Sequence, residues 1–134
     1  MNTQMNILKE VGMQADNFRK RTRKLGETAS EAFSGQKAQM KNLENIANSA
    51  LKVSDVLDYI KRQTGKSDAN KKWKKDQFGE KLLKEVKDTL GKRRDIICRD
   101  LGIASEEQRL HVYLLLIREF IKQLVIFYEY STGK

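Results

Sequence analysis

One long apolar segment, HVYLLLIREFIKQLVIFYEY at residues 111–130, constrains the fold more than any other part of the sequence. Apolar residues recur along it at steps of three and four, and others fill most of the remaining positions. A helix that is apolar nearly all round is normally buried on several sides. Arg118, Glu119 and Lys122 lie near its middle, and one charge at a bilayer centre costs about 2.5–3.5 kcal/mol even on a lenient scale, so we expect no membrane span. The segment predicts the central helix of a bundle, over residues 106–130.

Three further helices are predicted at residues 2–25, 36–63 and 76–98, the last with Leu101 as an alternative end. Apolar residues recur at helical spacing in each of them. The chain has no proline and no long run in which β-branched residues alternate with polar ones, so strands are not expected. We therefore expect an all-α protein, a single-domain helical bundle of four to five helices over residues 1–134, with the C-terminal helix most buried.

Glycines and a capping pattern mark the ends of these predicted helices. Gly26 follows a basic last turn and is expected to end the first helix. Residues 27–35 then form either one further helical turn or a loop. Gly91 lies inside the third helix and is expected to kink or divide it. Ser105 and Gln108 have the spacing of a capping box at the start of the fourth helix.

The chain is strongly basic, with 27 Lys and Arg residues against 18 Asp and Glu residues and a net charge of +9. Residues 1–104 carry the whole excess, because residues 105–134 hold four charges of each sign. The excess is therefore expected on the outer surface of the bundle. Such a surface makes nucleic acid or an anionic membrane the leading class of partner; the alternative is a protein that is basic only for solubility.

Three cationic clusters on predicted helices are candidate phosphate contacts. Like charges one turn apart repel each other on a helix, but basic residues also stabilise the last turn of a helix, so a structural role stays open. Asp88 and Asp95 can neutralise part of the third cluster. We expect Phe18 and Leu25 to face the core beside the first cluster. The three clusters are Arg19, Lys20, Arg21, Arg23 and Lys24; Lys61 and Arg62, with Lys66 nearby; and Lys92, Arg93, Arg94 and Arg99.

A fourth cluster, KKWKK, consists of Lys71, Lys72, Trp73, Lys74 and Lys75 and lies in the most polar part of the chain. An aromatic ring flanked by lysines can stack on a base while the lysines hold phosphates. The same pattern also fits a tryptophan packed against the bundle with its lysines extended into solvent. The sequence alone does not separate these two interpretations.

No set of residues points to catalysis or to a cofactor. His111 is the only histidine and Cys98 the only cysteine, so a zinc site would need unusual ligands and no disulfide can form within the chain. Arg94 and Arg99 lie near Cys98 in the sequence and are expected to lower its pKa, but no paired base makes it a nucleophile. We expect no enzyme activity, no metal and no cofactor, and a cytoplasmic protein.

A small basic helical chain with scattered cationic clusters resembles the small subunit of CRISPR effector complexes of the Cascade type. The residues that carry the resemblance are RKRTRK, KKWKK, GKRR and the apolar segment at residues 111–130. The type I-D variant, whose small subunit is produced from the end of the large-subunit gene, is one alternative that the residues do not distinguish from others. The resemblance covers most of the chain but includes no diagnostic motif.

The resemblance implies several copies side by side within a larger complex, in contact with other effector subunits. Each copy would hold the guide RNA–target DNA heteroduplex or the displaced single-stranded DNA by its phosphates, independently of base sequence. Two other classes of function remain open. One is a helical adaptor that binds protein partners through apolar contacts without nucleic acid, and the other is a peripheral membrane binder that uses a basic helix.

Overall fold

The computed structural model describes residues 3–66 and 72–132, and every regular element within them is helical. A π-helical turn, Glu85–Thr89, joins two of the helices into one continuous rod, so that the described residues form six helical rods in one bundle. The predicted all-α bundle is confirmed, with more divisions than the four to five helices expected. The elements are α1 Thr3–Asn17, α2 Arg19–Phe33, α3 Lys37–Ser49, α4 Val53–Gly65, a 3-10 turn Lys75–Gln77, α5 Phe78–Lys84, α6 Leu90–Asp100 and α7 Glu106–Thr132.

Helix α7 is the centre of the bundle, as its sequence predicts. It packs against α1, α2, α3, α4 and α6, with its largest interface against α2. Val112, Leu116, Phe120 and Leu124 are fully buried along it. At its start the backbone N–H of Gln108 donates to Ser105 Oγ at 3.4 Å, which is one half of the expected capping box. The burial of this helix supplies much of the hydrophobic stabilisation of the fold.

The prediction that Gly26 ends the first helix is wrong. The chain breaks earlier, at Phe18, and α2 then continues through Gly26 to a stop at Ser34 and Gly35, both with positive φ. Gly26 instead allows α2 to approach α7 closely, because a Cβ at this position would lie 2.8 Å from Phe127 Cβ and 3.1 Å from the Tyr128 backbone nitrogen. Residues 27–35 therefore belong mainly to a helix and not to a loop.

The single helix predicted at residues 36–63 is two helices, α3 and α4, separated at residues 50–52. Arg118 of α7 holds the open end of α3: its Nε donates to the carbonyl of Ala47 at 3.0 Å and its Nη2 to that of Ala50 at 2.9 Å. These bonds satisfy carbonyls that a helix end leaves without intrahelical partners. Arg118, a charged residue in the middle of the apolar helix α7, thus caps the C-terminus of α3, which lies far from it in the sequence.

The third predicted helix is one continuous rod without a kink at Gly91, but its α-helical hydrogen bonding is broken once. The interruption is the π turn Glu85–Thr89, in which hydrogen bonds span five residues and the regular pairing of carbonyls is disturbed. The hydroxyl of Tyr113 donates to the carbonyl of Val86 at 2.8 Å and so supplies a partner to this turn. Burial raises the pKa of the Tyr113 hydroxyl.

Candidate nucleic-acid interface

A cationic groove runs between α2 and the continuous rod made by α5, the π turn and α6. It consists of two adjoining depressions, of about 260 and 450 Å³, which share Arg21, Lys84 and Glu85. We call the two together the basic groove. Besides the shared residues, the first depression is lined by Lys24, Leu25, Thr28 and Lys81, and the second by Asp88, Thr89, Lys92, Arg93 and Ile96.

Positive charge dominates the basic groove because its described lining holds six basic residues against two acids. Arg21 Nη1 lies 2.9 Å from Glu85 Oε1, and the Glu85 side chain is only 19% exposed. Asp88 is the one other acid among the described residues of the lining. Among the residues that the structure describes, no carboxylate lies within ion-pair distance of the four groove lysines, which are Lys24, Lys81, Lys84 and Lys92. Their ammonium groups remain available to an external anion.

The structure divides the first predicted cluster between two sides of α2. Arg21 and Lys24 line the basic groove. Arg19 lies elsewhere, with its guanidinium 5.1 Å from the ring centroid of Phe127, a cation–π contact that gives it a structural role. Lys20 and Arg23 are exposed and line neither depression of the groove. Phe18 and Leu25 are buried, which confirms their predicted orientation towards the core.

Trp73 is a core residue, so its assignment to the nucleic-acid site is wrong. Its side chain is fully buried at 0% exposure, and its Nε1–H donates to Gln39 Oε1 at 2.8 Å. The rings of Phe33 and Phe78 lie 5.5 and 5.4 Å from it, which leaves no face for a base. The alternative interpretation, a tryptophan packed against the bundle, is the one observed, with Lys74 and Lys75 exposed beside it.

The lysines around Trp73 differ in their surroundings. Lys72 is half-buried, whereas Lys74 and Lys75 are exposed. Lys75 Nζ donates to the carbonyl of Glu31 at 3.3 Å, a contact that ties the loop to α2. Lys71 lies outside the described residues. None of the three described lysines is in the lining of the basic groove.

The third predicted cluster is also divided. Lys92 and Arg93 line the basic groove, where Arg93 Nη1 donates to Gln14 Oε1 at 2.9 Å. Arg94 instead lies over the ring of Tyr113 at 4.7 Å and donates to Asp95 at 3.0 Å. This hydrogen bond from Arg94 is the main cause that lowers the pKa of the Asp95 carboxyl. Arg94 is therefore engaged in holding α6 against α7.

The remaining predicted residues lie outside the groove. Arg99 is exposed and lies 3.4 Å from Asp100 Oδ1, beyond the end of the groove lining. Lys61 and Arg62 are exposed on α4, a helix that contributes no residue to the groove lining. Of the sixteen residues assigned from sequence, the groove brings together Arg21, Lys24, Lys92 and Arg93.

Lys81 and Lys84 are functional candidates that the sequence interpretation missed. They lie outside the contiguous basic runs on which the other clusters rest. Their spacing of three residues places them on one side of α5, close to Arg21 and Lys24 of α2. Lysines repeated at helical spacing in KLLKEVK are the signal that identifies them.

Cys98 and His111 are the two residues considered for catalysis or metal binding. Burial raises the pKa of the Cys98 thiol more than Arg109 and Arg94 lower it, so the expected lowering of its pKa is wrong. His111 Nε2 lies 3.1 Å from the side-chain amide nitrogen of Gln4. Within residues 3–66 and 72–132, no three His, Cys, Asp or Glu side chains are grouped so that they hold a metal ion. No helix in this part of the chain combines the length and apolarity needed to cross a membrane.

Comparison with known proteins identifies no family for this chain. No protein-family model, no curated protein and no solved structure matches the chain. The chemistry of the candidate interface therefore follows from its own geometry. A concave surface with lysines on two facing walls and a neutralised acid between them is suited to hold an extended polyanion.

Proposed function

We propose that the chain binds nucleic acid by its phosphate backbone in the basic groove and catalyses no reaction itself. The observation that carries this proposal is the placement of lysines on both walls, with Lys24 on α2 and Lys81, Lys84 and Lys92 on the facing rod. A phosphodiester chain in the groove is contacted from both sides. Each lysine that neutralises a phosphate releases a bound counterion, and this release supplies the binding free energy.

Binding in the groove is expected to be independent of base sequence. Among the described residues, the groove lining contains no aromatic side chain, and the tryptophan that was a candidate for base stacking is buried. Ammonium groups act on phosphates as point charges and do not distinguish one base from another. Affinity should therefore depend on strand length and salt concentration much more than on sequence.

The biological setting that we propose is a CRISPR interference complex, in which the chain serves as the small subunit. This setting rests on the resemblance in size, helical layout and charge. In it, several copies lie next to one another among the other effector subunits. Their basic grooves follow the guide–target heteroduplex or the displaced DNA strand.

The test removes groove lysines and compares the result with an equal reduction of charge elsewhere. The groove variant combines Lys24→Ala, Lys81→Ala and Lys84→Ala; the control combines Lys37→Ala, Lys52→Ala and Lys61→Ala, which are exposed on α3, on α4 or at the junction between them. Binding of a fluorescent single-stranded oligonucleotide is measured by anisotropy across a salt series. Each phosphate that the protein no longer neutralises should make the slope of log K against log salt shallower by about 0.7.

We expect the slope to become shallower by about two units in the groove variant and to stay unchanged in the control. Equal changes in both variants would show that binding follows net charge alone and not the groove. If the unmodified chain bound the oligonucleotide with an affinity independent of salt concentration, a phosphate-based mechanism would be contradicted. The proposed setting has its own check, because the chain purified from its native cells should carry RNA of uniform length.

A further inference from the structure

A second groove lies on a different side of the bundle, between α1 and α3. Both helices pack on α7, with little contact between them, and they leave a depression of about 650 Å³ whose floor is α7. Leu8 and Gly12 are part of the α1 wall, and on the opposite side Asn48 is the one residue that α3 contributes to the described lining. We call this depression the α1–α3 groove. Its lining is mixed in charge and partly apolar, so it differs from the basic groove.

The floor of the α1–α3 groove has a regular pattern. Leu115, Glu119, Lys122 and Ile126 follow one another at steps of four, three and four residues, which places them in one row along α7. The row spans about 16 Å, or three helical turns. Its ends are apolar and its centre carries one charge of each sign. Ile126 is 51% exposed, and Leu8 on the adjacent wall is 52% exposed.

The two central charges of this row have no ionic partner within the described part of the chain. No cation lies within ion-pair distance of Glu119, and no carboxylate lies within that distance of Lys122, among the residues that the structure places. The neighbouring Arg118 is already committed to the end of α3. Glu119 and Lys122 are neighbours on one side of the helix and attract each other weakly, but neither is held in an ion pair, so both side chains can turn to an external group.

We infer that the α1–α3 groove docks one amphipathic helix of a protein partner. That helix presents apolar residues to Leu115 and Ile126, a basic residue to Glu119 and an acidic residue to Lys122, at the same spacing. Helices that lie in grooves are recognised by residues at such helical steps, and the charges fix the register and direction of the helix. This docking function goes beyond nucleic-acid binding and uses a separate face.

The observations favour a helix of another protein over two other occupants. The described lining holds three cations, Arg19, Arg118 and Lys122, against the acids Asp16 and Glu119. Arg19 lies over the ring of Phe127 and Arg118 caps α3, so a nucleic-acid backbone would meet one uncommitted cation beside two acids. A second copy of the chain has the complementary row only on its own α7. That row lies between its own α1 and α3, so two floors cannot meet. A helix of another protein carries both charge signs and is not enclosed by α1 and α3, so neither argument applies to it.

The test uses two designed peptides that differ in one charge. Each is an alanine-rich helix of about 20 residues, long enough to be helical in water, with leucines at the outer positions of the four-three-four pattern. One carries lysine and glutamate at the inner positions, and the other carries lysine at both. Their affinities are measured by fluorescence anisotropy for the unmodified chain, for Lys122→Glu, and for the control Lys41→Glu on α3, which changes the net charge equally.

We expect the unmodified chain to prefer the lysine–glutamate peptide by about tenfold, since one lysine of the other peptide faces Lys122 whichever way the helix runs. Lys122→Glu should invert this preference, and the control Lys41→Glu should leave it as it was. Ile126→Asp combined with Leu8→Asp should weaken binding of the preferred peptide by at least about tenfold. Oligonucleotide binding should change equally in Lys122→Glu and Lys41→Glu, because both lysines lie outside the basic groove.

Several outcomes would overturn the inference. Failure of both peptides to bind, or the same preference in the unmodified chain and in Lys122→Glu, would contradict a docked helix. A dimer that forms with rising concentration and is absent in Ile126→Asp would assign the groove to a second copy. Displacement of a bound peptide by an oligonucleotide would assign it to nucleic acid. Circular dichroism of each variant verifies that the helices are intact.

Discussion

Trp73 shows how a single side chain can bring a polar segment into the core. Its indole ring is surrounded by aromatic rings, and Gln39 accepts its one hydrogen bond. Shortly after it, Asp76 and Gln77 adopt positive φ angles of 53° and 58°, which are unfavourable for residues with a side chain. The burial of an aromatic group of this size offsets that cost. Lys74 and Lys75, which follow the tryptophan, remain exposed, whereas Lys72 before it is half-buried.

Trp73→Phe tests this assignment. The change leaves Gln39 Oε1 buried without a donor and reduces the packed volume, so unfolding in urea should show a loss of about 1–3 kcal/mol. Oligonucleotide binding by the folded variant should be unchanged. A large loss of binding at unaltered stability would instead support base stacking by Trp73.

The matched control for that prediction replaces both partners. Gln39→Leu combined with Trp73→Phe removes the orphaned acceptor as well as the donor. Replacing both members of a buried hydrogen bond by apolar groups costs less than removing one. We therefore expect the double variant to lose less free energy of unfolding than the two single variants lose in sum.

Helices α2 and α7 depend on a glycine at their point of closest approach. Gly26 lies where α2 crosses residues 127 and 128, and it leaves no room for a side chain. The buried side chain of Thr22, one turn earlier, donates to Gln123 at 2.9 Å, and Gln123 in turn donates to the carbonyl of Ala15 at 3.0 Å. Close backbone approach and a polar network together set how three helices meet.

Gly26→Ala and Gly12→Ala form a matched pair of helix variants. The first adds a methyl group against the backbone of α7 and should cost about 1–3 kcal/mol of stability. The second adds it where no described atom outside the local helix lies within 4 Å, so the better helix propensity of alanine should contribute up to about 1 kcal/mol of stabilisation. Thermal melting of both variants measures the difference, and equal effects would contradict the close approach.

The sequence predicted a helix correctly where the spacing of nearby apolar residues determines its extent. Helix α7 is the clearest case, because its apolar residues and its capping serine are contiguous in the chain. The division between α3 and α4 was not predictable, since apolar spacing continues across Ala50 while the cap comes from Arg118, far along the sequence. The same holds for Gly26, whose role depends on contact with a distant helix. Long-range contacts therefore account for the errors.

The candidate interface was predicted only in part for a similar reason. Arg21, Lys24, Lys92 and Arg93 were found as members of basic runs, but a run of consecutive residues spreads around a helix and only some of them face one groove. Lys81 and Lys84 were missed because the groove is assembled from two helices that are distant in sequence. Which cations are neutralised, such as Arg21 by Glu85, depends on that assembly as well.

At the scale of the whole molecule, the net charge of +9 influences stability and binding in opposite directions. Like charges on the surface repel each other and weaken the compact state. The same charges attract a polyanion. Added salt screens both effects, with a Debye length of about 10 Å at 0.1 M and about 3 Å at 1 M.

Raising the salt concentration should therefore stabilise the folded chain while it weakens oligonucleotide binding. We expect the melting temperature to rise and log K to fall over the same salt series. The variant that lacks three groove lysines should show a smaller change in both quantities. A melting temperature that falls with salt would indicate that ion pairs, not repulsions, dominate the surface.

The central position of α7 also has a consequence for how fast the chain folds. Every described helix that packs on α7 precedes it in the sequence. The hydrogen bonds that Gln123 accepts from Thr22 and donates to Ala15 join residues more than a hundred positions apart. Contacts between such distant residues require the closure of long loops before they contribute any stability. Small helical proteins usually fold quickly because their contacts are local. This one should fold more slowly than its helical content implies, with the arrival of α7 as the step that completes the core.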